Sequence, residues 1–154
     1  MKKGFTLVEL LVVVAILGVL EAVGIVSFGG FLGNSKENVT KANHQNIVKF
    51  IQTQLLRCSL GETSMDLVDA NGNSRPWQCD TEYYCDNYVA RFYQHFEGSF
   101  KNPYNQNISS AAYDSDCKSL GQTSFTRDNN ILKLITNYKN GEGCLISYIE
   151  LECN

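Results

Sequence analysis

The sequence predicts an α+β fold in which one long N-terminal α-helix packs on a C-terminal antiparallel β-sheet. Three observations support this prediction. Residues 5–32 form a long, predominantly apolar run, and residues 34–60 follow with an amphipathic pattern of helical period. The last forty residues alternate between apolar and polar positions around an Asn-Gly turn. At 154 residues the chain fits one domain of modest core size once the apolar run is set aside.

The apolar run is long enough to cross a bilayer, since about 20 helical residues suffice at 1.5 Å each. It nevertheless contains two carboxylates, Glu9 and Glu21. A charged side chain near the bilayer centre costs at least about 2.5 to 3.5 kcal/mol. Two carboxylates make this run energetically unfavourable as a simple membrane anchor. We therefore expect an assembled state to supply an opposite charge.

The residues before the run differ from those of an ordinary secretory signal, whose small-residue cleavage site follows an apolar core of about 7 to 15 residues. Here Lys2 and Lys3 are followed by Gly4, which precedes the core. Cleavage after Gly4 would leave the apolar run attached to the mature chain. It would also create a new ammonium group at Phe5, one helical turn from Glu9.

The segment KKG-FTLVE (residues 2–9) resembles the cleavage signal of type IV prepilins and of type II secretion pseudopilins. The resemblance implies a pilin-like fold, with half of the long helix transmembrane. It implies cleavage between Gly4 and Phe5, N-methylation of Phe5, and pairing of Glu9 with the N-terminus of a neighbouring subunit. The implied partners are identical or homologous pilin subunits, the prepilin peptidase and methylase, an inner-membrane assembly platform and the membrane itself.

This interpretation divides the chain into a leader peptide (residues 1–4), a transmembrane and assembly helix (residues 5–33) and a periplasmic or extracellular globular domain (residues 34–154). Lys2 and Lys3 beside the membrane indicate a cytoplasmic N-terminus. We expect a single-pass inner-membrane protein before assembly. After assembly we expect an extracellular pilus or a periplasmic pseudopilus.

Many pilins have a proline late in the apolar segment, whereas this chain has Gly24-Ile25-Val26-Ser27 there. We therefore expect no proline kink. Glycines are weak helix formers, each costing about 1 kcal/mol against alanine. The glycine-rich stretch 24–33 is accordingly predicted to be the weakest part of the helix.

Glu21 departs from the apolar pattern, and its role has two interpretations. It follows Glu9 by twelve residues, about 120° around a helix, so the two carboxylates do not share a face. In the first interpretation the carboxyl stays protonated in lipid or is wetted at the interface. In the second it makes another contact between subunits, with Lys36 or another basic group.

The helix should continue beyond the membrane as far as Leu60, with Gly61 as its C-cap. Its apolar stripe contains Ile47, Val48, Ile51, Leu55 and Cys58 at helical spacing. His44 is expected on the exposed side of this helix. The stripe requires a sheet to cover it.

A second, short helix is predicted from Thr81 to Phe96, with Gly98 as the residue that can end it. Aromatic residues recur in it every four positions, at Tyr84, Tyr88, Phe92 and Phe96. Together with Trp77 they could form a surface that stacks on sugars or bases, but core packing is the favoured interpretation. His95 should lie among these aromatics. The segment from Lys101 to Asn105 is predicted to be a turn leading to the sheet.

Three strands are predicted at 119–126, 131–138 and 144–151, with a turn at Asp128-Asn129 and a hairpin loop at 139–143. The side chains expected to face the helix stripe are Leu132, Leu134, Tyr138, Leu145, Ile149 and Leu151.

Six cysteines lie outside the apolar run, which fits three disulfides in an oxidising compartment. Fifteen pairings are formally possible. If residues 144–151 are extended, Cys144 and Cys153 lie about 30 Å apart at 3.3 Å per residue, too far to pair. Cys117 and Cys144 fall at the same end of the sheet, so Cys117–Cys144 is the first choice. Cys58–Cys79 and Cys85–Cys153 are the least strained remainder.

Several function classes have little support. Removal of Lys2 and Lys3 takes the formal charge from −3 to −5, and an acidic exterior disfavours general nucleic-acid binding. No Cys-x-x-Cys pair occurs, and neither His44 nor His95 has zinc-like spacing, so no metal is expected. We find no nucleotide loop, paired-carboxylate site or nucleophile–base set. We expect neither a cofactor nor an enzymatic activity.

The leading hypothesis is a structural subunit of a type IV pilus-like filament, serving surface attachment, motility or DNA uptake. The alternatives are a type II secretion pseudopilin, and a minor pilin acting as a tip adhesin or DNA receptor. DNA binding has no positive support and would need a local patch. Its only obvious contributors are Arg75, Trp77, Arg91, Lys101 and Lys118.

Overall fold

The computed structural model describes Gly4 and residues 6–79, 85–113, 116–140 and 142–153, with residues 26–28 described by backbone alone. These described residues form two helices and six strands: α1 (Leu7–Ser59), β1 (Ser64–Met65), β2 (Trp77–Gln78), α2 (Cys85–Ser99), β3 (Ala111–Ala112), β4 (Thr123–Asp128), β5 (Ile131–Lys139) and β6 (Gly143–Glu150). A long apolar N-terminal helix followed by a sheet confirms the predicted pilin-like α+β class.

The strands form two sheets. β1 and β2 make a small antiparallel ribbon, and the main sheet has the order β3-β4-β5-β6. β3 runs parallel to β4, while β4–β5 and β5–β6 are antiparallel. β3 and the small ribbon were absent from the sequence prediction, because two-residue strands leave no detectable alternation.

The chain divides into two units between Ser35 and Lys36. In the second unit, from Lys36 onward and called the head below, Ile47 and Ile51 of α1 are fully buried. The helix ends in a Schellman motif: the Gly61 N–H donates to Cys58 O (3.0 Å) and the Glu62 N–H to Arg57 O (3.1 Å). Gly61 has a φ of 97°, as this cap requires.

One face of the main sheet packs on α1 as predicted. Leu132 and Leu134 of β5 are fully buried, and Ile149 and Leu151 are nearly so. Leu145 is half-buried on the same face. The Tyr138 ring lies 4.2 Å from the ammonium of Lys41 on α1.

The opposite face of the sheet is partly covered by the segment before β4. The Asn137 side-chain amide donates to Cys117 O (3.0 Å) and to Lys118 O (3.3 Å). Ile135, which points to this face, is consequently only 5% exposed.

The first strand was predicted too early. It runs from Thr123 to Asp128, because residues 119–122 form a turn in which the Gln122 N–H donates to Ser119 O (3.1 Å). The following turn lies one residue later than expected, with Asn129 in the left-handed region at φ 53°, which asparagine tolerates better than most residues. In the predicted hairpin loop, Gly141 lies outside the described residues.

The second helix begins at Cys85 in the described chain; residues 81–84, including Tyr84, lie outside it. Gly98 does not end this helix, which continues to Ser99. A Cβ at Gly98 would stand 2.7 Å from Asp69 O and 2.9 Å from Ala70 O. Close packing against the 69–70 backbone therefore explains the glycine.

The aromatic residues of α2 pack in the core, as the favoured interpretation held. Phe92 and Phe96 are fully buried, and the Phe96 ring stacks on Phe125 of β4 at 5.9 Å between centroids. His95 stacks on Phe50 of α1 at 4.4 Å. Its Nδ1 accepts the Val68 N–H at 3.0 Å, which also fixes the 66–69 segment.

His44 was expected on the exposed side of the helix, and this prediction was wrong. The residue is 4% exposed and lies against the main sheet. Its ring nitrogens contact Thr136 Oγ1 (2.7 Å) and Ser147 Oγ (2.8 Å). Two hydroxyls satisfy both nitrogens, so the imidazole can be buried without an orphaned polar atom.

Candidate assembly segment

Gly4 is exposed and precedes α1, which begins at Leu7. A Cβ at Gly4 would have no described atom within 4 Å. Phe5, the other residue of the expected cleavage site, lies outside the described residues. Gly4 thus lies three residues before the start of the helix, with no described atom crowding it.

The start of α1 is closed by a capping box between Thr6 and Glu9. Glu9 Oε2 accepts the Thr6 N–H (2.8 Å) and the Thr6 hydroxyl (2.7 Å), and the Glu9 N–H donates to Thr6 Oγ1 at 3.3 Å. This reciprocal arrangement satisfies N–H groups that a helix N-terminus leaves without partners. The capping box was not among the sequence predictions, although Thr-x-x-Glu before an apolar run is its signal.

The capping box positions the carboxylate that was singled out for assembly. Among the described residues, every hydrogen bond that Glu9 accepts uses Oε2. No described residue donates to the second oxygen, Oε1, which can therefore accept a further donor. A carboxylate in the first helical turn is also favoured by the helix dipole.

The helix that follows presents a continuous apolar surface. Leu7 is 80% exposed, Ile25 75% and Phe31 69%. In the described part of the chain, α1 alone is both long and apolar enough to cross a membrane. Lipid or the apolar surfaces of other helices must cover such a surface.

Glu21 is exposed on this apolar helix. Among the described residues it has no hydrogen-bond or ion-pair partner. The structure thus joins Glu9 to Thr6 and leaves Glu21 apart from both.

The glycines of the 24–33 stretch lie inside α1, and the weakness expected there stays a prediction.

All six cysteines are paired, and the pairs are the three chosen from the sequence. Cys58–Cys79 joins the end of α1 to the residue after β2, and Cys85–Cys153 joins the start of α2 to the end of the chain. Cys117–Cys144 ties the segment before β4 to β6. The bridges therefore connect both helices and the sheet edge to the loops around them.

The residues considered for a nucleic-acid patch have neighbours within the head. The Arg91 guanidinium lies 4.2 Å from the centroid of Trp77, and its Nη1 donates to Gln94 Oε1 at 3.1 Å. Lys118 pairs with Asp116, and Arg75 lies in the field of Asp69, whose pKa it helps to lower. Lys101 bridges to Ser109 through its backbone. Arg91 and Trp77 are thus brought together, but the cations near Asp116 and Asp69 are offset by those acids.

No group of three or more His, Cys, Asp or Glu side chains in the described residues is placed to hold a metal ion. The two histidines are engaged in packing, and burial lowers the pKa of each imidazole.

Comparisons with known proteins found one family model and several fimbrial relatives. Residues 1–20 match the family model described as the prokaryotic N-terminal methylation motif. A type IV major fimbrial protein FimA of Dichelobacter nodosus is 33% identical over 79 residues, covering 47% of this chain and 49% of that protein. Another FimA of the same organism is 34% identical over 78 residues, covering 47% and 50%.

The chain spans about half the length of the curated relatives that it matches. No solved structure shows a significant match.

Proposed function

Since the methylation motif and the fimbrial relatives support a type IV pilin family, whose members are structural rather than enzymatic, we propose that this chain is a structural subunit of a type IV pilus-like filament. The observation that carries the proposal is the methylation motif at residues 1–20, which leads into an exposed apolar helix. That helix needs a covering, and helices of other subunits supply one of matching chemistry.

The proposed processing follows from the same segment. A prepilin peptidase cuts between Gly4 and Phe5, residues 1–4 leave as a leader, and Phe5 becomes the N-methylated terminus. Residues 5–33 hold the precursor in the inner membrane with its N-terminus in the cytoplasm. Residues 34–154 lie on the far side, where the three disulfides form. An assembly platform in the inner membrane then transfers the subunit to an extracellular filament.

The proposed assembly contact joins the Phe5 ammonium of one subunit to Glu9 of another. Thr6 already holds Oε2 of Glu9, so Oε1 receives the incoming donor. The two charges neutralise each other in an apolar surrounding, where leaving one partner alone costs about 3 to 5 kcal/mol. A subunit that enters in the wrong register would incur this cost, so the pair selects the correct register.

Two variants of Glu9 separate its charge from its role as a cap. Glutamine at the third helical position also closes a capping box, so Glu9→Gln keeps the helix start and removes the charge. Glu9→Ala removes both. We expect both variants to insert and to be cleaved after Gly4, and neither to polymerise.

The measurements are mass spectrometry of the N-terminus, membrane-fraction level, and electron microscopy of sheared surface fibres. Normal fibres from Glu9→Gln would contradict the ion pair while leaving polymerisation intact. A mature product that retains Met1 would contradict the proposed function itself.

The fimbrial relatives favour a pilus over a secretion pseudopilus. For the tip-receptor alternative, acids lie beside two of the five candidate residues, while Arg91 and Trp77 lie together.

A further inference from the structure

The charges around the apolar run do not balance under the proposed function alone. Between Phe5 and Lys36 the only charged side chains are Glu9, Glu21 and Lys36. The Phe5 ammonium compensates Glu9, which leaves Glu21 with no counter-charge inside the run. Lys36 is the first basic residue after the run, and its inclusion makes the segment 5–36 neutral.

Among the described residues, neither Glu21 nor Lys36 has an ion-pair partner in its own subunit. Glu21 is exposed and has no ion-pair partner among the described residues. Lys36 is exposed too, and its ammonium lies 5.9 Å from the centroid of Tyr104, at the outer limit of a cation–π contact. In the described chain no carboxylate lies within ion-pair distance of Lys36.

Other cations of α1 are less suited to compensate Glu21. Lys41 pairs with Glu37 at 2.6 Å, and Arg57 pairs with Asp66 at 2.6 Å. Lys49 lies thirteen residues farther along the chain than Lys36. Lys36 is therefore the nearest basic side chain in sequence, and its ammonium is not committed to an acid.

We propose that Glu21 of one subunit forms an ion pair with Lys36 of another subunit when α1 helices pack together. This inference rests on the proposed function, because it requires a filament. Side chains meet along one helix when they are three or four residues apart, whereas Glu21 and Lys36 are fifteen apart. The pair must consequently join two subunits that are offset by fifteen residues along α1.

The new pair complements the one at Glu9. Phe5 and Glu9 are four residues apart, so that pair joins subunits with an offset of about four residues. An offset of fifteen residues belongs to a different pair of neighbours. Each subunit would then be held in register by two independent contacts, and no carboxylate of the apolar run would stay charged and alone.

The competing explanation for Glu21 is a carboxyl that stays protonated, and Glu21→Gln distinguishes the two. Glutamine has the shape and neutrality of a protonated glutamate, so a protonated carboxyl predicts normal filaments from this variant. The ion pair predicts a reduced filament yield from Glu21→Gln, since Lys36 loses its partner.

A charge exchange tests the partner. Full-length chains carrying Glu21→Lys, Lys36→Glu or both are expressed with the native assembly system, and sheared fibres are quantified. We expect each single change to lower filament yield about tenfold or more, because each buries a like-charge pair. The double variant should recover to within about threefold of the unchanged chain, since the pair is restored with its charges exchanged.

Glu37→Gln is the matched control. Glu37 is next to Lys36 in sequence but pairs with Lys41 of its own chain, so its loss should leave filament yield unchanged. Membrane level and N-terminal cleavage are measured for every variant, which identifies any failure of insertion. Should Glu21→Lys fail to insert, Lys36→Glu and Glu21→Gln still distinguish the ion pair from a protonated carboxyl.

The outcomes separate the two proposals. Normal filaments from Glu21→Gln, or a double variant no better than the single ones, would overturn the Glu21–Lys36 pair and leave the proposed function standing. An unchanged chain that is cleaved but forms no filament would instead contradict the proposed function.

Discussion

The imidazole of His44 on α1 is hydrogen-bonded to the hydroxyl of Thr136 on β5, with 2.7 Å between Nδ1 and Oγ1. The other ring nitrogen lies 2.8 Å from Ser147 Oγ on β6, and Thr136 Oγ1 lies 2.6 Å from Thr123 Oγ1 on β4. One helix side chain thus connects three strands through a buried polar network. Such a network specifies how the helix sits on the sheet only while all its members stay satisfied.

Acidification should destabilise the head through this histidine. Burial lowers the pKa of His44 below its ordinary value of about 6.5, and the same holds for His95. Below about pH 6.5 the unfolded chain therefore binds protons that the folded chain does not. The contribution of the two neutral histidines to folding stability is therefore complete above that pH. It is lost as the pH falls toward the pKa of each histidine in the folded state. Denaturant unfolding of the oxidised protein between about pH 8 and pH 5 measures this slope.

His44→Gln provides the comparison, because glutamine is polar but does not titrate. Stability should depend less steeply on pH in this variant, with the remaining slope due to His95. Hydrogen bonds lower the pKa of three aspartates in the folded protein, so these carboxyl groups titrate at a lower pH than the histidines. The aspartates are Asp69, Asp86 and Asp116, and their donors are Asn73, Arg127 and Lys118 respectively. An unchanged slope in both His44→Gln and His95→Gln would contradict the assignment.

Removing disulfides should reveal an order set by the loops that they close. Cys85–Cys153 spans 68 residues and Cys58–Cys79 spans 21. The entropy of the unfolded chain grows with the logarithm of loop length, so losing the longer link should cost about 1 kcal/mol more. Paired serine variants, unfolded in denaturant, give the two free energies. A larger loss for Cys58–Cys79 would show that native contacts around the bridge outweigh the loop term.

Asn102→Ala should destabilise the turn before β3. Asn102 is 1% exposed; its side-chain oxygen accepts the N–H groups of Tyr104 (2.8 Å) and Asn105 (3.2 Å), and its amide donates to Leu120 O (2.8 Å). Alanine leaves these backbone groups without partners, at a cost on the order of 3 kcal/mol. Asn107→Ala, at an exposed site of the same segment, should change the free energy of unfolding by no more than about 0.5 kcal/mol.

The elements that the sequence predicted well are those with a long regular pattern. The stripe containing Ile47 and Ile51 and the alternation of Leu132 and Leu134 each repeat over several turns or residue pairs, so burial of one face follows from periodicity. For the cysteines, strand geometry excluded only the Cys144–Cys153 pair, since an extended β6 separates the two. Cys117–Cys144 was then a first choice because both lie at the same end of the sheet, and the other two pairs were the least strained remainder.

The features that were missed depend on tertiary contacts. A histidine among polar helix residues gives no local sign that Thr136 and Ser147 will receive its ring. Gly98 has the sequence context of a helix stop, yet the 69–70 backbone determines its role. The Thr6–Glu9 capping box is different, because its signal is local and was readable from the sequence.

Gly98→Ala should destabilise the head even though alanine is the better helix former. In an open helix the change would gain about 1 kcal/mol. Here the new Cβ would meet Asp69 O at 2.7 Å and Ala70 O at 2.9 Å, and both are backbone atoms that cannot swing away. Overpacking of this kind costs about 1 to 3 kcal/mol, so we expect a net loss in the free energy of unfolding.

Asn87→Ala in the same helix is the control for propensity. Asn87 is half-buried near the start of α2, and its replacement by alanine adds helix propensity without adding volume. We expect it to be neutral or slightly stabilising, while Gly98→Ala is destabilising under the same denaturant conditions. If Gly98→Ala instead raises the free energy of unfolding, the 69–70 loop yields at little cost, and the glycine is not required by packing.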